Sequence, residues 1–516
     1  MNLSDVISGH ARNRPNHPAL VMDDTEVTYE ELDRLGARVG GWLRARGVRR
    51  GERVLFYSHN SIEYLATYLG AARIGAIFAP VHPSFMEREL RYVAKNADAT
   101  IAFVAADLAE SFAKFALSIP ELPQDVVIVG DGYDGERENF ESVRSWASEA
   151  GALDLPEDAP LLISYTSGST STPKPVLHSH GAETWSGGKY ADVWDYRSSD
   201  RALIALPLSW AYGISTTTTG LLTAGATIVL LSHFNPVRVL DEIERLSVTL
   251  YAGSSTMFVK IMDAYRKRPT NLSSLRRCYV GAEPINRTAV TAFEAVIGTK
   301  VWEGYAATEA YPIIVTNPGR DLDAPNGTCG RLVPGAQLRI VDSSGDAAPE
   351  GEPGEAQFTC PGRMLEYFRE PELTRQRLTD DGWVRSGDLV RRDAQGYYYI
   401  VGRLGDMIIR GGANIAPSEI EHALVSVEGV HDATVVSVPD EQNGEAVAAF
   451  VSLLDPSVSV DSLRTALASR LASFKIPTHI FFDVDLPHGV NGKKDRRAAS
   501  DIAHQLVTGA GSVPAT

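Results

Sequence analysis

Apolar and polar positions follow two rhythms along this chain, and the switches between them lay out its elements. Val27-Thr-Tyr-Glu-Glu-Leu32 leads into an amphipathic run that closes at Leu43-Arg-Ala-Arg-Gly47, which predicts a strand end followed by a helix. Thr28 with Glu31 three residues on fits a capping box, and Gly47 fits the stop. Val54-Leu-Phe-Tyr57, Ile77-Phe-Ala79 and Thr100-Ile-Ala-Phe-Val104 predict strands separated by helices over 61–73 and 86–96. Such alternation predicts an α/β domain with a largely parallel sheet. The segment from Leu203 to about Ile261 repeats it, with strands at Thr227-Ile-Val-Leu-Leu231 and Leu250-Tyr-Ala252.

Past about residue 325 the helical rhythm thins. Gln337-Leu-Arg-Ile-Val341, Glu355-Ala-Gln-Phe-Thr359 and Tyr397-Tyr-Tyr-Ile-Val401 predict a β-rich subdomain. Beyond Arg403 a helix (Pro417 to Val425), two strands (Val430 to Val438 and Ala446 to Leu453), a second helix and a last strand (Ile480 to Phe482) predict a compact α+β unit of about 110 residues. The second helix is expected to carry Leu463, Leu467, Leu471 and Phe474 on one stripe. The expected fold is therefore α/β, with a large N-terminal domain (1–403) and a small mobile α+β C-terminal domain (404–505). A disordered tail is expected over 506–516.

Composition narrows the function. A chain of 516 residues exceeds what one core usually holds, and its 44% hydrophobic content is ordinary for a globular protein. The formal charge, 49 − 65 = −16, disfavours general affinity for nucleic acid or an anionic membrane surface. The N-terminus carries no basic region followed by an apolar core, and no stretch is long enough for a membrane span, so a cytoplasmic protein is expected. Cys278, Cys329 and Cys360 show no metal-type pairing and are expected to be buried free thiols.

Candidate chemistry begins at Tyr165-Thr-Ser-Gly-Ser-Thr-Ser-Thr-Pro-Lys-Pro-Val176, which follows the apolar run Leu161, Leu162 and Ile163. Its hydroxyls and backbone N–H groups can donate to phosphate oxygens, Gly168 permits close approach, and Lys174 supplies a mobile charge. A Ser/Thr-rich surface loop has the same composition, and the second glycine and Lys-Ser/Thr ending of a Walker A loop are missing.

The downstream motifs decide between these readings. Gly281-Ala-Glu-Pro284, Gly304-Tyr-Ala-Ala-Thr-Glu309, Ser386-Gly-Asp388 with Gly402-Arg403, Asn414-Ile-Ala-Pro-Ser-Glu-Ile-Glu421 and Asn491-Gly-Lys493-Lys-Asp-Arg496 follow the loop in order. With the loop, they resemble the motif series of the adenylate-forming superfamily of acyl- and aryl-CoA ligases, peptide-synthetase adenylation domains and luciferases. The match runs nearly full length. The resemblance implies attack of a carboxylate on the α-phosphorus of ATP with release of pyrophosphate, a step that needs charge neutralisation more than covalent help.

It also implies roles. Thr166, Ser167, Gly168, Ser169, Thr170 and Lys174 would hold the β- and γ-phosphates, and Gly281, Ala282, Glu283 and Tyr305 the adenine side. Thr308 would donate to the α-phosphate and Glu309 would bind Mg2+. Asp388 would accept from the ribose hydroxyls, followed by Arg403, and Lys493 would bridge carboxylate and α-phosphate. Taken alone, Glu309 reads as a solvated carboxylate and Lys493 as part of a basic surface loop with Lys494 and Arg496.

Pro207-Leu-Ser-Trp-Ala-Tyr-Gly213 stands where many relatives have Pro-Leu-Phe-His-x-x-Gly. No acidic residue lies between Ala202 and Leu240, which disfavours an α-amino acid, because a buried unpaired ammonium costs several kcal/mol. The Ala211-Tyr212-Gly213 run and the Ala-Tyr-Pro312 after Glu309 resemble the benzoate-CoA ligase branch. Trp210, Ala211, Tyr212, Gly213, Tyr305, Ala306 and Tyr311 are the candidate walls of a flat slot, against ordinary core packing of the aromatics.

Departures are specific. Ser171 and Pro175 replace loop glycines, Ala306 replaces the third motif glycine, and Gly405 stands at the expected hinge before Asp406. The leading reading is an AMP-forming acid–CoA ligase for an aryl or aryl-like acid, with ATP, Mg2+ and CoA, and Arg410, Gly411 and Gly412 lining the pantetheine channel. The alternatives are loading of a phosphopantetheinyl acyl carrier protein and transfer to a nitrogen nucleophile. A nucleotide-binding protein with decayed chemistry is disfavoured by the presence of Thr308, Glu309, Asp388 and Lys493. Neither monomer nor homodimer is favoured by the sequence.

Overall fold

The computed structural model describes residues 2–166, 172–283, 285–487 and 495–508. Among them, strands assemble into nine-, eight-, four- and five-stranded sheets. The strands at the centre of the first two carry apolar side chains at consecutive positions because both sheet faces are covered. Val54 and Phe56 enter one core cluster and Leu55 and Tyr57 another, the period-two alternation of an extended chain. The first of these clusters also takes in Trp42 and Leu65 from helices, Trp194 from the turn that follows one, and Ile204, Ile228 and Leu250 from the nine-stranded sheet. It therefore joins the two large sheets through the helices between them. Burying each such large side chain contributes roughly 1.5–3 kcal/mol.

The helix Tyr29–Ala45 has the predicted reciprocal cap between Thr28 and Glu31. The strands Arg53–Tyr57, Ile77–Val81 and Ile101–Ala105 are parallel, as are Arg201–Ile204, Thr227–Leu230 and Leu250–Gly253, so both predicted α/β layers are present. All three cysteines are buried and free. No helix among the described residues is long and apolar enough to cross a membrane.

The chain divides into two compact units. The first comprises Met1–Pro325, Cys329–Leu338 and Phe358–Val384, and the second Asn326–Thr328, Arg339–Gln357 and Arg385–Thr516. The β-rich segment is divided between the two, with Arg339–Gln357 and the residues from Arg385 on in the second unit. Its strand Tyr398–Arg403 is fastened to the helix Pro417–Val425 by Ser418 Oγ, which donates to the Val401 carbonyl at 2.5 Å.

In the second unit, the helices Pro417–Val425 and Val460–Ala468 cover one face of the five-stranded sheet through Ile420, Leu424, Leu463 and Leu467. Two expectations change here. The helix ends at Ala468, so Phe474 falls in a 3-10 turn and is 42% exposed instead of completing the stripe. A helix over Arg496–Thr508 then covers the other sheet face through Ala499 and Ala503, continuing past Leu506, where a disordered tail was expected. Arg496 is not a loose basic residue, since Nη1 lies 2.7 Å from a Glu421 carboxylate oxygen.

Candidate active site

The strands Val301–Ala307 and Ala310–Val315 pair antiparallel with Ala307 opposite Ala310, which leaves Thr308 and Glu309 as a two-residue tip. A register shift between Tyr305 and Ala307 marks a bulge that leaves Ala306 exposed. The tip is fastened to neighbouring strands. His178 Nε2 lies 2.7 Å from the Thr308 carbonyl, and because a carbonyl only accepts, Nε2 carries the proton. Burial pulls the His178 pKa down to about 4, so the ring stays neutral, packed 4.7 Å from the Tyr311 ring. Met364 N donates to the Glu309 carbonyl at 2.8 Å.

The Glu309 side chain is 8% exposed, with Arg377 Nη2 3.0 Å from Oε1 and the Tyr367 hydroxyl donating to the same oxygen. Burial alone would raise this carboxyl, but Arg377 and the Tyr367 hydroxyl outweigh it and hold the group below its ordinary range. Lys174 joins the same cluster, its Nζ 5.9 Å from the centre of the Tyr367 ring. The reason is strand pairing. Lys174–Ser179 pairs with Pro160–Thr166 on one side, with Thr166 opposite Lys174, and with Glu366–Tyr367 on the other. The structure thus brings the pair Thr166 and Lys174 together with the pair Thr308 and Glu309, far along the sequence. Ser167, Gly168, Ser169, Thr170 and Ser171 lie outside the described residues.

The expected acid side is built differently. Gly213 is demanded by packing, because a Cβ there would sit 2.1 Å from the Pro207 carbonyl oxygen. The turn it permits leaves Trp210, Ala211 and Tyr212 half-buried and feeds a π-helix, Tyr212–Thr218, a rare element frequent at functional sites. Trp210 stacks on His82, with ring centres 5.6 Å apart and planes at 17°, and burial lowers the His82 pKa to about 4. The Tyr212 ring lies 3.7 Å from where a Gly281 side chain would begin. Its hydroxyl is 3.4 Å from the carbonyls of Gly253 and Tyr279.

Tyr311 differs from its expected place on the slot wall. It is 1% exposed, in the main core, and its hydroxyl donates to Glu183 Oε1 at 2.5 Å. Glu183 is itself fully buried, and burial raises its pKa to about 7, with Tyr311, Ser215 and Tyr68 hydroxyls pulling it only partly back. A carboxyl therefore does lie beside the Tyr212–Thr218 segment, delivered by the helix His180–Val193 rather than by residues 202–240.

At the turn expected to face adenine, Ala282 has φ +69°, a left-handed backbone that costs a non-glycine residue energy and is frequent at functional sites. Glu283 Oε1 accepts from Thr256 N at 2.6 Å, at the start of the helix Ser255–Lys267. Tyr305 is half-buried, its ring edge-on to Phe358 at 6.2 Å.

In the second unit Arg403 Nε donates to Asp388 Oδ1 at 2.8 Å across paired strands. Gly405 lies in an exposed 3-10 turn, Leu404–Asp406, with open space for 4 Å around the point where a side chain would begin. Arg410 Nη1 donates to the Phe474 carbonyl at 2.9 Å, and Gly411 and Gly412, at φ +57° and +84°, turn the hairpin between Ile408–Arg410 and Ala413–Ile415. Lys493 lies outside the described residues.

Sequence reasoning missed His178, Arg377, Tyr367, His82 and Glu183. His178 sits among apolar strand residues, Tyr367 in a two-residue strand beside Glu366, and Arg377 among charged helix residues, so neither periodicity nor motif spacing marks them.

Comparison with known proteins identifies the family. The AMP-binding enzyme family matches residues 7–368, and the AMP-binding enzyme C-terminal domain matches 419–493. A feruloyl-CoA synthase from Amycolatopsis sp. is 34% identical over 494 residues, covering 94% of this chain and 95% of that protein. The anthranilate CoA ligase AuaEII in complex with anthranoyl-AMP superposes with a TM-score of 0.91 at 25% identity, over 99% of this chain and 98% of that one. The amide bond synthetase McbA from Marinactinospora thermotolerans superposes with a TM-score of 0.87 at 26% identity, over 97% of this chain and 99% of that one. The chain belongs to the AMP-binding enzyme family, within the adenylate-forming superfamily.

Proposed function

We propose that this protein activates an aryl or aryl-like carboxylic acid with ATP and transfers the acyl group to the thiol of CoA. A carboxylate oxygen attacks the α-phosphorus, the bond to the pyrophosphate breaks, and an acyl-adenylate forms. The CoA sulfur then attacks the acyl carbon and AMP leaves. The observation that carries this reading is the Thr308–Glu309 tip held against the strand headed by Lys174, which gathers a hydroxyl, a carboxylate and an ammonium where a triphosphate needs them.

Thr166, Ser167, Gly168, Ser169, Thr170 and Lys174 grip the β- and γ-phosphates in this reading, and Thr308 donates to the α-phosphate. Gly281, Ala282, Glu283 and Tyr305 bound the adenine, Asp388 takes the ribose, and Lys493 bridges the reacting groups. Glu309 fits a hard divalent cation, since it offers buried oxygen donors kept anionic by a neighbouring guanidinium. Mg2+ bound there supplies charge neutralisation on the phosphates. Gly405 gives backbone freedom between half-reactions at the start of the small domain, 404–505, and Arg410, Gly411 and Gly412 line the pantetheine channel. The stacked Trp210 and His82 rings favour a flat acid, in keeping with the feruloyl and anthranoyl chemistry named for two relatives. A cytoplasmic enzyme is part of the same reading.

Likeness to an amide bond synthetase favours transfer to a nitrogen nucleophile as the second reading. Loading of a carrier protein is the third. Acid-dependent exchange of pyrophosphate into ATP, measured over a panel of aryl and alkyl acids, tests the first half-reaction, and absence of exchange across the panel sinks the proposal. Product trapping with CoA, a phosphopantetheinyl carrier protein or an amine tests the second. Adenylate without thioester in the presence of CoA removes CoA as acceptor.

A further inference from the structure

Glu309, the carboxylate that faces the cation in the reading above, already has a cation on it. Arg377 lies 3.0 Å away, and both side chains are largely withdrawn from water, at 8% exposure for Glu309 and 22% for Arg377. Arg375, two residues earlier on the same helix, shows what an ordinary arginine does here. It pairs with Glu372 at the surface and is 66% exposed.

The approach of Arg377 is built into the chain. The strand Glu366–Tyr367 is zipped to Lys174–Ser179, and Tyr367 N donates to Thr374 Oγ1 at 3.0 Å. That bond locks the helix Pro371–Arg377 against the strand, so its last residue reaches back to the Thr308–Glu309 tip. The Tyr367 hydroxyl donates to the same Glu309 oxygen, so it helps to fix the carboxylate for the guanidinium.

A buried carboxylate cannot serve a guanidinium and a divalent ion at full strength together, because the two cations repel across a low-dielectric gap. We propose that Arg377 is the resident counter-ion of Glu309, and that it must yield this carboxylate when a metal–nucleotide complex binds. The inference rests on Glu309 as the metal-side ligand. It adds that the affinity for metal–nucleotide is set partly by the work of displacing Arg377.

The test uses the full-length protein and Mn2+ with the non-hydrolysable α,β-methylene analogue of ATP, with bound Mn2+ read by electron paramagnetic resonance. Arg377→Met is expected to tighten Mn2+–nucleotide binding by about tenfold, because the competing cation is gone. Arg377→Lys keeps a shorter, more mobile charge and is expected to fall between wild type and Arg377→Met. The double variant Glu309→Gln/Arg377→Met is expected to lose the gain, which a merely structural arginine would not predict. Unchanged or weaker binding in a folded Arg377→Met overturns the inference. If that variant does not fold, the Arg377→Lys titration decides, and binding no tighter than wild type overturns it. Acid-dependent pyrophosphate exchange by wild type separates the two levels: exchange with no tightening sinks the inference alone, whereas no exchange sinks the functional reading beneath it.

Discussion

Around Glu309 side chains are tied to one another by charge and hydrogen bonds, whereas around Trp210 they meet mainly as ring faces. The proposed phosphate side links Lys174, Tyr367, Glu309, Arg377, His178 and the Thr308 carbonyl across four segments of chain. The acid side rests on a turn that only glycine can make, at Gly213, and on Trp210 stacked over a neutral His82. In the proposed function the contrast has a purpose. A triphosphate is the same molecule in every turnover and rewards fixed polar partners, while discrimination among acids through an apolar slot depends on shape and is worth only a few kcal/mol.

The sharpest way to break this comparison is to remove the carboxylate at the phosphate side. Glu309→Gln is expected to lower pyrophosphate exchange about 100- to 1,000-fold for every acid tested. A loss confined to some acids would place Glu309 on the acid side instead. Next in size is Glu183, the buried carboxyl bonded to Tyr311. Its pKa rises from 4.5 to about 7 on folding, so between those values the folded protein holds a proton that the unfolded chain releases. Stability is therefore expected to fall as pH rises through that window, by about 3 kcal/mol in all, and Glu183→Gln should flatten the profile in denaturant titrations. An unchanged profile in the variant would mean that another group carries the dependence.

A smaller effect is expected at His178. Replacing it by Phe deletes the bond to the Thr308 carbonyl, worth about 1 kcal/mol, and should raise the KM for ATP several-fold while leaving the ranking of acids alone. His178→Asn, which can donate to the same carbonyl, should recover part of that loss; recovery in KM without change in melting temperature would separate positioning from packing. Smallest is Trp210→Ala, expected to cost aryl acids about fivefold in kcat/KM relative to alkyl acids, with the KM for ATP unmoved. Equal losses for both acid classes would show that Trp210 supports the turn and not the slot.

Much of the fold was legible because parallel strands buried on both faces must be apolar throughout and the helices between them must be amphipathic. Helix caps such as Thr28 with Glu31 follow from local geometry and appeared as expected. Where the pattern misled, a tertiary neighbour was responsible. Phe474 continues an apolar stripe in the sequence but lies beyond the end of its helix. Ala499 and Ala503 are too small to mark a buried helix, yet both are fully covered by the sheet. Tyr311 carries the expected aromatic chemistry but is turned into the core by its bond to Glu183.

By itself the sequence determined the layered α/β architecture and the order of the family motifs, because periodicity and turn chemistry act over a few residues. Only the tertiary structure decided what those motifs touch. His178, Tyr367 and Arg377 reach the Thr308–Glu309 tip through strand pairing and a hydrogen-bonded helix, contacts between segments more than fifty residues apart. No local pattern encodes such contacts, since a charge or a ring has the same signature in a sequence whether it meets solvent or a buried carboxylate.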